Sequence, residues 1–289
     1  MGAGTNGLPL DQLCDSVSDL PTIPETLARI LDLLEDPNSG ARDLAEVIRG
    51  DAPLAGKILR LANSPLYQKH RSIGTVQECV AVLGYRTVRQ VALCVAVVST
   101  LGNECERRGA AMNYKELWRH CVASGAVAQA LARAVNHAEP EAVFTCGLLH
   151  DLGKFVLTLR YPCEYAELVA ERRRLGLRLV DLERERFGYD HAAAGAALAE
   201  AWNFPAPLVS AISGHHASDF ASRDVALVAL SDYLANQLDP TASDLGFDAD
   251  LVDPAELFAG AGLPAAEVEA RLDELREATA AASPLRNLD

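Results

Sequence analysis

The sequence has little positive charge. Its 289 residues include 26 lysines and arginines against 40 aspartates and glutamates, which gives a formal net charge of −14 at pH 7. Binding to nucleic acid requires a basic face that neutralises phosphates, so this balance argues against a general nucleic-acid binder. The same deficit argues against electrostatic docking to an anionic membrane. We therefore expect neither DNA nor a membrane surface among its partners.

The sequence also lacks a long apolar run. The longest lies near Val91–Val98, well short of the roughly 20 residues that cross a bilayer. Residues 1–9 have neither the positive region nor the apolar core of a signal peptide. None of the seven cysteines forms a CxxC pair of the kind that binds zinc or performs thiol redox chemistry. These absences predict a cytoplasmic protein whose cysteines are mostly small buried residues.

Strand signals are sparse, whereas helical periodicity extends almost throughout the chain. Two capping boxes are predicted, one at Thr22 with Glu25 and one at Thr75 with Glu78, and Gly84 is predicted to end the second helix. Further helices are predicted near Ala41–Arg49, Pro53–Ala62, Thr87–Leu101, Tyr114–Val135, Glu139–Leu149, Glu164–Leu175, Leu179–Phe187, His191–Trp202, Ala206–His215, Val225–Gln237, Pro254–Ala259 and Pro264–Thr279. The pattern predicts an all-α protein with a boundary between two lobes near Gly102–Met112.

Polar residues set into these apolar helices carry the sharpest signal. Five of the seven histidines, all located between residues 120 and 216, form an ordered series with two aspartates. Imidazoles and carboxylates are suitable ligands for borderline and hard divalent metals. These histidines and aspartates, taken singly or as the adjacent pairs His150–Asp151 and His215–His216, come from different predicted helices. A helical bundle could therefore bring them together in its interior. The predicted cluster contains His120, His150, Asp151, His191, His215, His216 and Asp232.

Three residues near this series have a predicted local role. Adjacent His150 and Asp151 can face one ion only at a helix end or a kink, and Gly153 supplies such a break. Lys154 follows Asp151 by three residues and is close enough to face a bound phosphate. Glu116 precedes His120 by four residues, so the two could share a metal or simply form a hydrogen bond.

Other features have plainer interpretations. A single histidine in a helix is more often a surface or satisfied core residue, which is how we interpret His70 and His137. The charged runs Glu171–Arg174 and Glu183–Arg186 are typical of a solvated helix face. Cys121 is next to His120, but neighbours in a helix point in different directions, so the pair is not expected to act as a nucleophile and base.

The same residues lie within longer motifs that occur in a recognisable order. They are LPTIPETLARILDLLEDP at 20–37, DAPLAGKILRLANSPLY at 51–67 and SIGTVQECVAVLGYRTVRQVAL at 72–93, followed by LWRH, GLLHDLGK, DHAAAGAALAEAW and HH. Together they resemble the HDOD domain (HD-related output domain), a branch of the HD superfamily of metal-dependent phosphohydrolases. The resemblance covers residues 20–238, most of the chain.

This resemblance implies an all-α fold with an N-terminal helical lobe at about 20–105 and an HD-like lobe at 106–238. A segment 1–19 would precede the domain, and an acidic helical extension 239–289, with twelve acidic residues against three arginines, would follow it. It also implies a bacterial signalling or regulatory role, often in two-component or cyclic di-GMP pathways. Signalling proteins would then be the partners, and family members are not generally established as enzymes.

HD-GYP phosphodiesterases, which cleave cyclic di-GMP, have a comparable order of ligands. By that resemblance Glu116 would join the seven residues above as metal ligands, and Lys154 would match the lysine of the HDxGK motif. The bound ion could be iron, manganese, nickel, zinc or magnesium. The departure comes after His216, where HHASDFASRDVALVALSDYL contains no glutamate, no DG and no GYP. The ligands could therefore persist although the substrate pocket is absent.

Three hypotheses follow. The preferred one is a non-enzymatic signalling module in which the helices form an interaction scaffold, and a metal, a nucleotide or another phosphate-containing molecule is a structural or regulatory ligand. The alternative is a metal-dependent phosphohydrolase or cyclic dinucleotide phosphodiesterase, in which Lys154 would offset developing negative charge. The third is DNA binding through the short helices of Arg42–Leu61, whose apolar spacing is better explained by core packing.

Overall fold

The computed structural model describes residues 21–36, 38–63, 72–110, 114–238 and 253–282. Within these ranges the protein is all-α, as predicted, and contains no strand. The sixteen helices of the described ranges are α1 (Glu25–Glu35), α2 (Ala41–Arg49), α3 (Ala52–Ala62), α4 (Val76–Leu83), α5 (Tyr85–Arg107), α6 (Tyr114–Ala134), α7 (Pro140–Leu149), α8 (Leu152–Arg160), α9 (Pro162–Leu175), α10 (Leu179–Phe187), α11 (His191–Ala201), α12 (Ala206–Gly214), α13 (Arg223–Leu238), α14 (Pro254–Ala261), α15 (Ala265–Glu269) and α16 (Leu272–Ala281).

Local signals explain several helix ends. The Thr75 hydroxyl accepts the backbone N–H of Glu78, whose carboxylate accepts the N–H of Thr75, so this predicted capping box is confirmed. Gly84 ends α4 with φ 88°, a conformation in which a side chain would be strained. The capping box predicted at Thr22 was wrong, because α1 has Pro24 as its N-cap and no side chain caps it.

Helix α5 is the long central element of the N-terminal half. It contacts α1, α3 and α4 and also α7 and α8 from the following half. One continuous apolar cluster accordingly extends from Leu27 in α1 through Val97 in α5 to Ile212 in α12. Helix α5 continues to Arg107, beyond the start of the boundary predicted at Gly102. The division into two lobes stays a prediction.

Helices α7 and α8 follow one another with a break at His150–Asp151. The sequence predicted the helix end at this pair but missed α8 itself, because Gly153 was interpreted as a helix breaker. Gly153 instead lies in the first turn of α8. By length and composition the stretch Pro140–Arg160 could cross a membrane, but 94% of its most apolar window is buried inside the protein. Packing within a folded helical core accounts for this apolar stretch.

The C-terminal helices pack on the helices that carry part of the histidine series. Leu257, Val268 and Leu275 are buried in a second apolar cluster with Leu131 of α6 and Leu230 of α13. The single helix predicted at Pro264–Thr279 was wrong, because the backbone leaves helical geometry at residue 271 (φ −106°, ψ 4°), and α16 starts afresh after it. The described part of the acidic extension is therefore a folded cap on α6 and α13.

Candidate metal centre

Helix ends position most of the predicted ligands. His150 is the C-cap of α7, Asp151 the N-cap of α8, and His215 the C-cap of α12. The other helices contribute His191 as the first residue of α11, His120 from within α6 and Asp232 from within α13. These six residues are at most 2% exposed, and His216 is half-buried.

The carboxylate of Asp151 lies between two sets of imidazoles. Its Oδ1 is 3.3 Å from His191 Nε2 and 3.8 Å from His215 Nε2. Its Oδ2 is 3.3 Å from His150 Nε2 and 3.6 Å from His120 Nε2. One carboxylate therefore has an oxygen directed at each set, an arrangement in which Asp151 could serve two adjacent ions.

Asp232 forms a first set of potential metal ligands with His120 and His150. Its Oδ1 is 2.9 Å from His120 Nε2 and 3.6 Å from His150 Nε2, and the side-chain amide of Asn236 donates to the same oxygen. One ligand atom from each of these two histidines and Asp232 lies within 4.8 Å of the others.

A second and a third set meet the same distance criterion. The second set consists of His191, His215 and His216, and the third of Cys121, His150 and Asp151. The structure thus brings together all seven residues of the predicted cluster, but their assignment as metal ligands stays a prediction.

Backbone acceptors select the ring nitrogen that each histidine offers. The Nδ1 atoms of His150 and His215 lie 2.7 Å from the carbonyl oxygens of Gly147 and Ile212. A carbonyl oxygen only accepts, so Nδ1 carries the hydrogen and Nε2 is directed into the centre. Within the described residues, both Nε2 atoms and Asp151 Oδ1 are buried without a hydrogen-bond partner. Such atoms are costly to leave unpaired, and a divalent cation would satisfy all three.

Glu183 is a buried acceptor behind His191. Its carboxylate accepts the Tyr165 hydroxyl at 2.8 Å and both the backbone N–H and Nδ1–H of His191, at 2.8 and 2.7 Å. The interpretation of this charged run as a solvated face was therefore wrong for Glu183, which is 0% exposed. Its spacing from buried Leu179 and Val180, at i+4 and i+3, could have revealed this.

The electrostatics of the centre balance two aspartates against buried cations. Burial by itself would raise the pKa of Asp151, but His150 and Lys154 outweigh it and hold that pKa well below its usual value. Burial would lower the pKa of Lys154, but Asp151, 2.7 Å away, raises it. Burial also opposes protonation of His150, yet the carboxylates of Asp151 and Asp232 raise its pKa to about 10.

The second set of histidines divides into one protonated and two neutral rings. Burial would lower the pKa of His191, but Glu183 reverses this and raises it to about 9. Burial lowers the pKa of His215 to about 3, and protonated His150 and His191 reinforce the effect. Burial and His215 likewise hold the pKa of His216 well below its usual value. Neutral imidazoles are the form that binds metal.

Three further residues discussed from the sequence, Glu116, His137 and Cys121, do not belong to the predicted seven-residue cluster. Glu116 is half-buried in the first turn of α6 and belongs to none of the described sets within 4.8 Å, so its role as a ligand stays a prediction. His137 pairs with Asp224 at 2.9 Å, away from the centre. Cys121 was not expected at the site, yet its thiol lies beside the first set, and burial raises its pKa well above the usual value. His70 lies outside the described residues.

Comparison with known proteins identifies a family that matches most of the chain. A family model of the HDOD domain matches residues 20–218. The chain belongs to the HDOD family. The resemblance inferred from the sequence motifs is thereby confirmed, and the matched HDOD region contains every candidate ligand except Asp232.

Relatives of this HDOD protein are found among both sequences and solved structures. An uncharacterized protein of Treponema pallidum (strain Nichols) is 30% identical over 208 residues, which are 71% of this chain and 39% of that protein. This chain thus spans about two fifths of that relative. A structure from Shewanella amazonensis SB2B, named as a candidate phosphohydrolase, is 25% identical, with a TM-score of 0.73 over 98% of this chain and 100% of the other.

A third relative shares the fold. A structure from Marinobacter aquaeolei VT8, named as a candidate signal transduction protein, is 23% identical. It has a TM-score of 0.77 over 99% of this chain and 63% of its own.

Proposed function

We propose that this protein is a cytoplasmic signal-transduction module that acts through contacts with other signalling proteins and not through catalysis. In this proposal the helical body is the interaction scaffold, and a divalent metal in the candidate centre sets its conformation. Membership of the HDOD family supports the regulatory role, as does the fold shared with a candidate signal transduction protein.

The burial of the centre is the observation that carries the proposal. His120, His150 and Asp151 are each 0% exposed, and Lys154 is 3% exposed. A catalytic metal site keeps an open coordination position that substrate can reach, whereas a structural site is closed by protein ligands. The pairing of Lys154 with Asp151 also leaves this lysine turned towards protein instead of towards a phosphate. A closed centre supports a structural or regulatory ion.

The residues present fit a divalent cation, because imidazole Nε2 atoms and two carboxylates face each other, and an ion would bind the imidazoles in their neutral form. When bound, such an ion would supply positive charge between the aspartates and satisfy the unpaired acceptors. The two sets would hold it through His120, His150 and Asp232 or through His191, His215 and His216, and the carboxylate of Asp151 could serve either. We expect iron, manganese, nickel, zinc or magnesium in this role.

A metal-dependent phosphohydrolase or cyclic dinucleotide phosphodiesterase is the second candidate. The position of His216, the least buried of the seven, favours it, since a small phosphate could approach the centre at this edge. The bound ion would lower the pKa of a water and polarise a phosphoryl oxygen. Lys154 would have to leave Asp151 to offset the developing charge. The chain also lacks the glutamate and GYP segment that follow the paired histidines in the phosphodiesterases it resembles.

Metal content and activity measured on the same preparation test the proposal. We expect divalent metal after purification without chelator or after soaking with iron, manganese or nickel, and no turnover of cyclic di-GMP. Absence of metal under every condition would contradict the metal-holding role. Turnover that disappears in His150→Ala and Asp151→Ala variants, but persists in the exposed control Asp219→Ala, would overturn the non-enzymatic role and establish the second candidate.

A further inference from the structure

Cys121 lies at the edge of the candidate metal centre. It follows His120 in α6 and is 2% exposed. Successive helical residues point about 100° apart, so these neighbours flank a space instead of sharing a direction. The Cys121 thiol, a ring nitrogen of His150 and a carboxylate oxygen of Asp151 all lie within 4.8 Å of one another. That separation is small enough for one ion to contact all three.

A buried cysteine is usually an inert apolar residue, so Cys121 must be distinguished from the others. Four further cysteines are buried in the described residues, namely Cys79, Cys94, Cys105 and Cys146. Within those residues, none of these four belongs to a set of potential metal ligands. Cys121 is therefore set apart by its surroundings and not by its burial.

An unpaired nitrogen points to a ligand at this place. His150 is 0% exposed, its Nδ1 is occupied by the Gly147 carbonyl, and its Nε2 has no hydrogen-bond partner among the described residues. A cation beside the sulfur would satisfy His150 Nε2 and lie next to two carboxylates.

We propose that Cys121 is a sulfur ligand of the metal, together with His150 and Asp151, and that it selects a thiophilic ion. This inference rests on the proposed function, because it requires the centre to hold a metal. On binding, the S–H bond breaks, a metal–sulfur bond forms and the proton leaves to solvent, so no electrons are transferred. Thiolate favours zinc, cobalt or iron(II), whereas a set of imidazoles and carboxylates alone also accepts manganese and magnesium.

The competing set in the structure contains no sulfur. His150 is common to the Cys121 set and to the set formed with His120 and Asp232. An ion in the latter set would have nitrogen and oxygen ligands only. Detection of sulfur in the coordination sphere therefore separates the two placements.

Cobalt(II) is the probe for this test. The metal-free full chain is loaded with cobalt(II), and its absorption spectrum is recorded. We expect visible d–d bands together with a near-ultraviolet sulfur-to-cobalt charge-transfer band. Cys121→Ser should keep the d–d bands but lose the charge-transfer band. Cys146→Ser, a buried control, and Cys163→Ser, an exposed control, should keep both. Loss of one direct ligand should also weaken zinc binding at least about 10-fold, with manganese binding little changed.

The outcomes separate this inference from the proposed function. Cobalt binding without a charge-transfer band, or a band that survives in Cys121→Ser, would overturn sulfur ligation and leave the metal centre intact. Absence of cobalt and zinc binding would overturn sulfur ligation, and absence of binding by every divalent metal tested, including manganese, iron and nickel, would overturn both. If Cys121→Ser does not fold, X-ray absorption of the zinc-loaded wild-type chain decides the matter. One sulfur at about 2.3 Å supports the inference, and a shell of nitrogen and oxygen only overturns it.

Discussion

Gly153 and His191 are in direct backbone contact across α8 and α11. A Cβ atom on Gly153 would lie 1.7 Å from the carbonyl oxygen of His191 and 2.6 Å from the backbone nitrogen of Gly195. No side chain fits between these backbones, so the two helices approach this closely only because residue 153 is glycine. Asp151 precedes Gly153 by two residues and lies 3.3 Å from the His191 ring. The glycine contact therefore sets a distance within the candidate metal centre.

Gly153→Ala should separate these helices and disturb the centre. We expect the free energy of unfolding to fall by at least about 1–3 kcal/mol, because the added methyl overpacks a rigid backbone contact. Urea denaturation measures the loss. Gly56→Ala is the control, since a Cβ there meets nothing within 4 Å, and alanine in a helix should be neutral or stabilising by about 0.5–1 kcal/mol. Equal stability of the two variants would contradict the role of the contact.

Glu183 should fix the orientation of the His191 ring. Glu183→Ala removes one acceptor from three donors, so we expect each orphaned group to cost about 1–3 kcal/mol of stability. Loss of a carboxylate behind a metal-binding histidine should also weaken metal binding by about 10- to 100-fold. Calorimetric titration with zinc measures the second effect. Glu185→Ala, an exposed change on the same helix, should alter stability by less than about 0.5 kcal/mol.

Lys154 and a bound metal should be partly interchangeable as counter-charges for Asp151. Lys154→Met leaves a buried carboxylate without its nearest cation, and we expect a loss of about 3–5 kcal/mol in chelator. Saturating zinc should recover a large part of this loss, because the ion supplies the missing charge. Unfolding curves with and without zinc test the coupling. A loss of the same size in both conditions would contradict it. The exposed substitution Lys115→Met should change either curve by less than about 0.5 kcal/mol.

Stability in the presence of chelator should have a maximum near the pKa of an unfolded histidine, about 6.5. The pKa values of His150 and His191 are raised to about 10 and about 9, so above pH 6.5 the folded state binds more protons than the unfolded state. The stabilisation that these two protonated rings provide is lost as pH rises through those values. His215 and His216 stay neutral in the folded state, so the unfolded state takes up more protons below pH 6.5 and stability falls.

Asp151 and Asp232 make the loss of stability at acid pH steeper. Their pKa values are lowered in the folded state, so their protonation at low pH destabilises the fold. A pH series of urea denaturation in chelator measures the whole profile. A saturating divalent metal should reverse the alkaline decline, because binding requires deprotonated imidazoles. Stability that rises steadily between pH 7 and pH 9 in chelator would contradict these assignments.

Periodicity and spacing predicted much of the architecture. Helix α10 has the limits predicted for it, and the pairing of His150 with Asp151 required the helix end that the structure contains. These predictions succeeded because helix formation and capping depend on residues close together in the sequence. The convergence of the histidines was also predictable, since His120, His150, His191 and the pair His215–His216 belong to, or end, four different apolar helices.

Features that depend on three-dimensional neighbours could not be predicted in the same way. Gly153 has the same local signature as a helix breaker, and only its contact with His191 in α11 explains why glycine belongs inside a helix. Cys121 was set aside because helical neighbours diverge, but in the folded protein the Cys121 thiol and the His120 ring both lie within 4.8 Å of a ring nitrogen of His150. Glu183 was interpreted as solvated because its hydrogen-bond donors, Tyr165 and His191, lie on other helices and approach it only in the folded protein.

The break at His150–Asp151 also has a consequence for the most apolar stretch of the chain. It divides Pro140–Arg160 into helices of 10 and 9 residues, each about 15 Å long at 1.5 Å per residue. Neither length matches the hydrocarbon core of a bilayer, about 30 Å thick. An aspartate near the middle of such a stretch also opposes insertion by about 2.5–3.5 kcal/mol. The pair that gathers the candidate ligands therefore also makes this segment a poor substrate for membrane insertion during synthesis.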